Sequence, residues 1–118
     1  MNPVELDAEA FEALVVEELD HLPDEMVEGL ENLVFVVEDR PEDGSLNLLG
    51  LYDGIALTER GRYGYGELPD RIVLYREPLL DIAEDLEHLR EEIHVTLVHE
   101  IAHYYGMEHE ELERLGWN

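Results

Sequence analysis

His99-Glu100-Ile101-Ala102-His103-Tyr104-Tyr105-Gly106-Met107-Glu108-His109 forms a complete HExxHxxGxxH string. Two histidines four apart on a helix project from one face, a turn above each other. At that spacing they can take two corners of a zinc tetrahedron, with Zn–N distances of about 2.0–2.1 Å. Glu100, next to His99, flanks the same face and can reach a metal-bound water. Gly106 permits a left-handed residue that ends the helix and swings His109 back toward the metal. Three protein ligands and one open position make a catalytic zinc arrangement rather than a closed structural one. The reading is one zinc ion per chain, held by His99, His103 and His109, with Glu100 as the catalytic residue. HExxH alone arises by chance on ordinary helices; the glycine and third histidine at fixed offsets make this string far more specific.

Two plainer readings compete. A solvated helix rich in Glu and His can show HExxH with no metal at all. Against that, Val95, Leu97, Val98, Ile101 and Ala102 form the most apolar stretch of the C-terminal third, which predicts a largely buried helix whose ring nitrogens need partners. A structural zinc site is the other, but such sites are commonly rich in thiolate and this chain has no cysteine.

Working outward, the run after Pro78 meets neither Gly nor Pro before Gly106. One helix of that length is unusual in a small domain. Asp85 can cap a new helix, with Glu87 in its first turn, so the run divides near Asp85 and the motif lies on a helix over 86–105. Pro78 suits the first position of the preceding helix. Phe11, Leu14, Val15, Leu19 and Leu22 fall at helical spacing within 7–22, which Pro23 closes; 24–30 reads as a short helical turn weakened by Gly29. Leu33-Val34-Phe35-Val36-Val37 reads as a buried strand. Pro41-Glu42-Asp43-Gly44 is a turn. Leu48–Tyr52 and Ile55–Thr58 read as short strands around Asp53-Gly54, a pair suited to a tight hairpin. Arg71–Arg76 reads as a further strand. Gly61-Arg62-Tyr63-Gly64-Tyr65-Gly66 is too rich in glycine for regular structure, and 110–115 reads as a terminal helical turn before Gly116. The order α, small sheet, α predicts an α+β class.

With 118 residues the chain is expected to form one domain, residues 1–118, with a modest core. No apolar run approaches a membrane span and no charged-then-apolar leader is seen, so no membrane partner is expected. Lack of cysteine excludes disulfides and iron–sulfur clusters and fits a cytoplasmic location. The net charge is −24 and all seven basic residues are Arg. Such a surface repels phosphate backbones, so no nucleic-acid partner is expected. The charge either serves solubility or draws basic peptide segments to an acidic cleft.

The chain as a whole resembles a family of small bacterial zincin-like metallopeptidases, the minimal zincins. The likeness runs through the Phe11 helix ending at Leu22-Pro23, the strand Leu33–Glu38, Leu49-Gly50-Leu51-Tyr52-Asp53-Gly54, Leu68-Pro69-Asp70-Arg71-Ile72, Leu74-Tyr75-Arg76 and His99–His103. The resemblance implies a zincin-like minimal α+β domain, a small mixed sheet packed against an active-site helix, and zinc-dependent peptidase activity. It implies that His99 and His103 are metal ligands and Glu100 the general base or acid. The position three after Gly106 is Asp in many members and His109 here, a change that keeps a competent ligand. Larger metzincins place a Met-containing turn downstream of the third ligand. With nine residues of this sequence following His109, and Met107 lying before it, that support is not expected here.

On this reading a peptide or unfolded protein segment is the substrate. Tyr63, Tyr65 and Tyr104 are candidates for a second oxyanion donor, since a phenol donates at neutral pH; Tyr105 reads as core packing. An exposed edge strand, with Ile55–Thr58 as the candidate, could recruit an extended peptide by main-chain pairing. Thr96 and Glu92 precede His99 on its face and could support it. His94 falls about 140° round the helix from His99 and faces elsewhere; His21 and His88 lie in acidic stretches. Glu108, Glu110 and Glu111 are close enough to substitute as ligands but read as solvated surface. Two alternatives stand beside the peptidase: a metal- or partner-binding module without turnover, and a metal-dependent endoribonuclease. The ribonucleases that mature ribosomal RNA resemble the three-histidine pattern but typically carry Gly where Glu100 stands.

Overall fold

A computed structural model describes residues 6–30, 32–54 and 69–116, with His109 described by its backbone alone. Among the described residues five helices and three strands follow in the order α1 (Ala8–Asp20), α2 (Asp24–Val27), β1 (Leu33–Glu38), β2 (Gly50–Asp53), β3 (Asp70–Tyr75), α3 (Arg76–Ile82), α4 (Leu86–Tyr105) and α5 (His109–Leu115). This is the mixed α+β class expected. The strands form one sheet in the order β1-β3-β2. β1 runs parallel to β3, from Leu33 opposite Asp70 to Glu38 opposite Tyr75. β2 runs antiparallel to β3, with Gly50 opposite Leu74 and Tyr52 opposite Ile72.

β3, not β1, is the buried strand. It has a neighbour on each side, and Ile72, Val73 and Leu74 are fully buried. Among the described residues β1 pairs on one side only, and Val34 is exposed while Phe35 and Val37 pack partly against the core. The apolar run Leu33–Val37 therefore marks a strand correctly and its depth wrongly, because depth depends on strand order. Ile55–Thr58, with the glycine-tyrosine loop after it, lies outside the described residues.

Helix boundaries follow local chemistry. Asp7 caps α1 by accepting the Ala10 N–H at 2.8 Å, and Phe11, Leu14, Val15 and Glu18 turn inward at helical spacing. α3 begins at Arg76, so Pro78 is its third residue rather than its first. A proline fits there because N–H groups of the first turn have no intrahelical acceptor. Ala83 is extended, which separates α3 from α4. Asp85 then caps α4, accepting the His88 N–H at 2.7 Å, and His88 Nδ1 accepts the Glu84 N–H at 3.0 Å. Leu89, Ile93, Leu97 and Ile101 recur every four residues and are fully buried, which fixes the face α4 gives to the core. α4 lies against β2 and β3, with α1 across it.

Candidate metal centre

Register and helix period together bring β2 alongside the second half of α4. Gly50 and Tyr52, two apart on the strand, point to the same side and are spaced about 6.8 Å. Thr96, Glu100 and Tyr104 succeed one another at about 6 Å along one helix face. Gly50 meets Thr96 and Glu100, while the Tyr52 ring stands edge-on to Tyr104 at 6.1 Å. The strand and helix therefore run in the same direction at nearly equal pitch. A Cβ on Gly50 would fall 2.6 Å from Thr96 Cγ2 and 3.2 Å from the Val73 carbonyl, so only glycine lets the backbone come this close. Sequence reasoning missed this requirement. A lone glycine inside the pattern Leu49-Gly50-Leu51 is the signal that could have raised it.

Beyond Gly50 the helix brings together His99, Glu100 and His103. Each offers a ligand atom, and those atoms all lie within 4.8 Å of one another. The two imidazoles are 4.6 Å apart between centroids. The carboxylate of Glu100 is buried, and its Oε1 accepts from His103 Nδ1 at 2.9 Å. That bond holds the His103 tautomer with Nε2 free to ligate.

Both histidines are exposed, contrary to the expectation of a buried pair. Leu97, Val98, Ile101 and Ala102 are indeed buried, but Val95 is 53% exposed and lies on the side of the helix that carries His99. Apolar content alone does not say which face the histidines occupy. Water can satisfy exposed rings, so the case for a metal rests on the clustering of three donors and not on burial.

The helix ends as read. Gly106 is left-handed, with φ 74°. Its N–H bonds to the His103 carbonyl at 3.1 Å, and the Met107 N–H to the Ala102 carbonyl at 2.9 Å. These two bonds make a Schellman cap and reverse the chain. His109 is the first residue of α5, directly after the capping residue Glu108. Its side chain, and so the third-ligand assignment, lies outside the described residues.

His99 stands between two cavities. One, of about 240 Å³, opens between the approach to β2 and α4; Leu48, Leu49 and Gly50 line one wall. Glu92, Thr96, His99 and Glu100 line the helix side. The other, of about 290 Å³, lies where the chain turns into α5, with His99, His103 and Glu108 around a floor of Ala102, Met107 and Leu112. Thr96 and Glu92 line the same cavity as His99, but Glu92 pairs with His88 Nε2 at 3.3 Å rather than with His99. Glu108 is exposed but lines a cavity with both histidines, a closer placement than plain solvated surface. His94, His21 and His88 are not in the donor group, and Tyr63 and Tyr65 lie outside the described residues.

Tyr104 is a correction. It is buried to 2% exposure between the rings of Tyr52 and Tyr105 and lines neither cavity. One residue after His103 means a rotation of about 100°, which turns it into the core. Tyr105 packs as expected: half-buried, it donates to the Met26 carbonyl at 2.6 Å and ties α4 to α2. Burial, and the neighbouring Tyr104, push its phenol above the ordinary value.

Fold and site together define a metal-competent HExxH helix lying under a small mixed sheet. The family model described as zincin-like metallopeptidase matches residues 30–117, and the chain belongs to that family. It is also similar to a solved structure, a conserved hypothetical protein from Thermo thermophilus, with 27% identity and a TM-score of 0.58 over 93% of this chain and 97% of the other. No curated protein matches the chain. No helix of the described residues is long and apolar enough to cross a membrane.

Proposed function

We propose that the protein is a zinc-dependent peptidase acting on short or flexible peptide segments, with His99, His103 and His109 holding one zinc ion and Glu100 as the catalytic carboxylate. The observation that carries this is the convergence of two imidazoles and a buried carboxylate within 4.8 Å, beside cavities that open to solvent. The donor set fits zinc: borderline-soft imidazole nitrogen with oxygen nearby and no thiolate. When bound, the ion would acidify a water molecule and polarise a peptide carbonyl.

The residues of the chain do the rest. Glu100 is fixed to the rim of the site by its bond to His103, and its carboxylate can take a proton from the attacking water. As the water oxygen bonds to the carbonyl carbon and the C–N bond breaks, that proton passes to the departing amine. The flanking cavities can receive the side chains on either side of the cut. A zinc-loaded sample incubated with a peptide library, its new termini read by mass spectrometry, tests the proposal. Cleavage lost in Glu100→Gln, with metal content kept, is the expected result. Metal uptake without cleavage of any peptide would favour the binding module; metal-dependent retention of RNA would favour the ribonuclease.

A further inference from the structure

The cavity beside β2 has a polar end that metal binding does not use. Glu92 lies seven residues before His99, on nearly the same face of α4 and about 10 Å away along its axis. Between them the wall is apolar: Leu48 and Leu49 on one side, Val95 and the methyl side of Thr96 on the other, with no side chain at Gly50 to close the gap. Among the described residues no Arg lines this space. Arg90, the nearest basic residue on α4, turns instead to Glu17 and Glu18 of α1, at 3.0 and 3.5 Å.

Glu92 is also held in place. His88 Nδ1 accepts the Glu84 N–H, so the ring proton is on Nε2, which lies 3.3 Å from Glu92 Oε1. A carboxylate accepts along about four lone-pair directions, so this leaves capacity for another donor. An apolar channel with a fixed carboxylate at its far end matches a side chain with an apolar stem and a cationic head. Arg and Lys have that form, with three or four methylenes before the charge, and either side chain, extended from a backbone held near the donor group, would carry its charged head toward Glu92.

We propose that this cavity is the subsite for an Arg or Lys side chain beside the scissile bond, with Glu92 as its specificity-determining residue. The proposal rests on the peptidase reading of the same site and narrows its substrates to basic peptides. It gives part of the acidic surplus of the chain a definite target.

The test uses two fluorescent peptides, blocked at both ends, that differ only in Arg or neutral citrulline at the central position. Their affinities are measured by anisotropy at physiological salt on zinc-loaded Glu100→Gln protein, which holds peptide without turning it over. The Arg peptide should bind about tenfold more tightly, as a charge-assisted contact at a half-exposed site allows. Adding Glu92→Gln should bring the ratio close to one. Adding Glu91→Gln, which removes an exposed charge outside the cavity, should leave the ratio unchanged. A ratio that survives Glu92→Gln, one that falls equally with Glu91→Gln, or no measurable binding of either peptide would each overturn the subsite. Cleavage of the two peptides by the parent protein is read in parallel. A binding preference without cleavage would remove the peptidase reading and keep the subsite; cleavage without preference would do the reverse.

Discussion

Gly50→Ala places one methyl group where β2 packs alongside α4. Its Cβ would stand 2.6 Å from Thr96 Cγ2, 3.2 Å from the Val73 carbonyl oxygen and 3.5 Å from Glu100 Cγ. Carbon atoms are at ease at about 3.5–4.0 Å, so the Thr96 contact must open by roughly 1 Å. Val73 cannot retreat, because it sits fully buried in the central strand. Thr96 cannot easily rotate away, because it is β-branched on a helix and 6% exposed. Overpacking of this kind costs about 1–3 kcal/mol, against which the lost freedom of the unfolded glycine returns about 0.4–1 kcal/mol. The net expectation is about 1–2 kcal/mol of destabilisation, or a fall in Tm of roughly 4–8 °C. Thr96→Ser removes the Cγ2 methyl and with it the clash. A double-mutant cycle by urea denaturation should then show Gly50→Ala coupled to Thr96→Ser by at least about 0.5 kcal/mol in the compensating direction. A Gly50→Ala protein as stable as the parent, or additive with Thr96→Ser, would refute the close approach of β2 to α4.

His109→Ala should weaken zinc binding by more than tenfold in chelator competition, while His94→Ala and single substitutions of Glu108 or Glu110 stay within a few-fold of the parent; parent-like affinity in His109→Ala would end its assignment as third ligand. Gly106→Ala should lower stability by about 1–2 kcal/mol, since a left-handed residue with a Cβ is strained, and calorimetry would show it. Alkali should destabilise the fold through Tyr75 and Tyr105. Burial is the chief cause of the raised value in both, with Glu38 next for Tyr75 and Tyr104 for Tyr105. A raised folded pKa means their contribution is complete below the unfolded value near 10 and is lost as pH rises through the folded value. Ultraviolet titration should find these phenols ionising later than free tyrosine, with unfolding alongside. Tyr105→Phe should remove one of the two later-titrating phenols, leaving that of Tyr75, and cost about 1 kcal/mol for the unpaired Met26 carbonyl.

Where an element depended on neighbours in the chain, reading residues in order was enough. Asp85 and Gly106 bound α4 because a carboxylate cap and a left-handed glycine act within one turn of themselves. His99, Glu100 and His103 cluster for the same reason: the helix period alone puts them together. The α+β class followed from the order of periodic segments, and zincin-like membership from motif residues spread through the chain.

Tertiary structure decided what order along the chain does not carry. Leu33–Val37 and Asp70–Tyr75 are alike as apolar runs, yet β3 is central and β1 pairs on one side among the described residues, a matter of strand pairing across 37 positions. Tyr104 and His103 are neighbours in sequence, and the packing of α4 against β2 sends one into the core and leaves the other in solvent. Gly50, Leu48 and Leu49 reach α4 only because β2 pairs with β3 and packs alongside the helix there. The donors of the centre were thus fixed by local helical geometry. Its facing wall of Leu48, Leu49 and Gly50 was fixed by contact between segments more than 40 residues apart, which no local periodicity records.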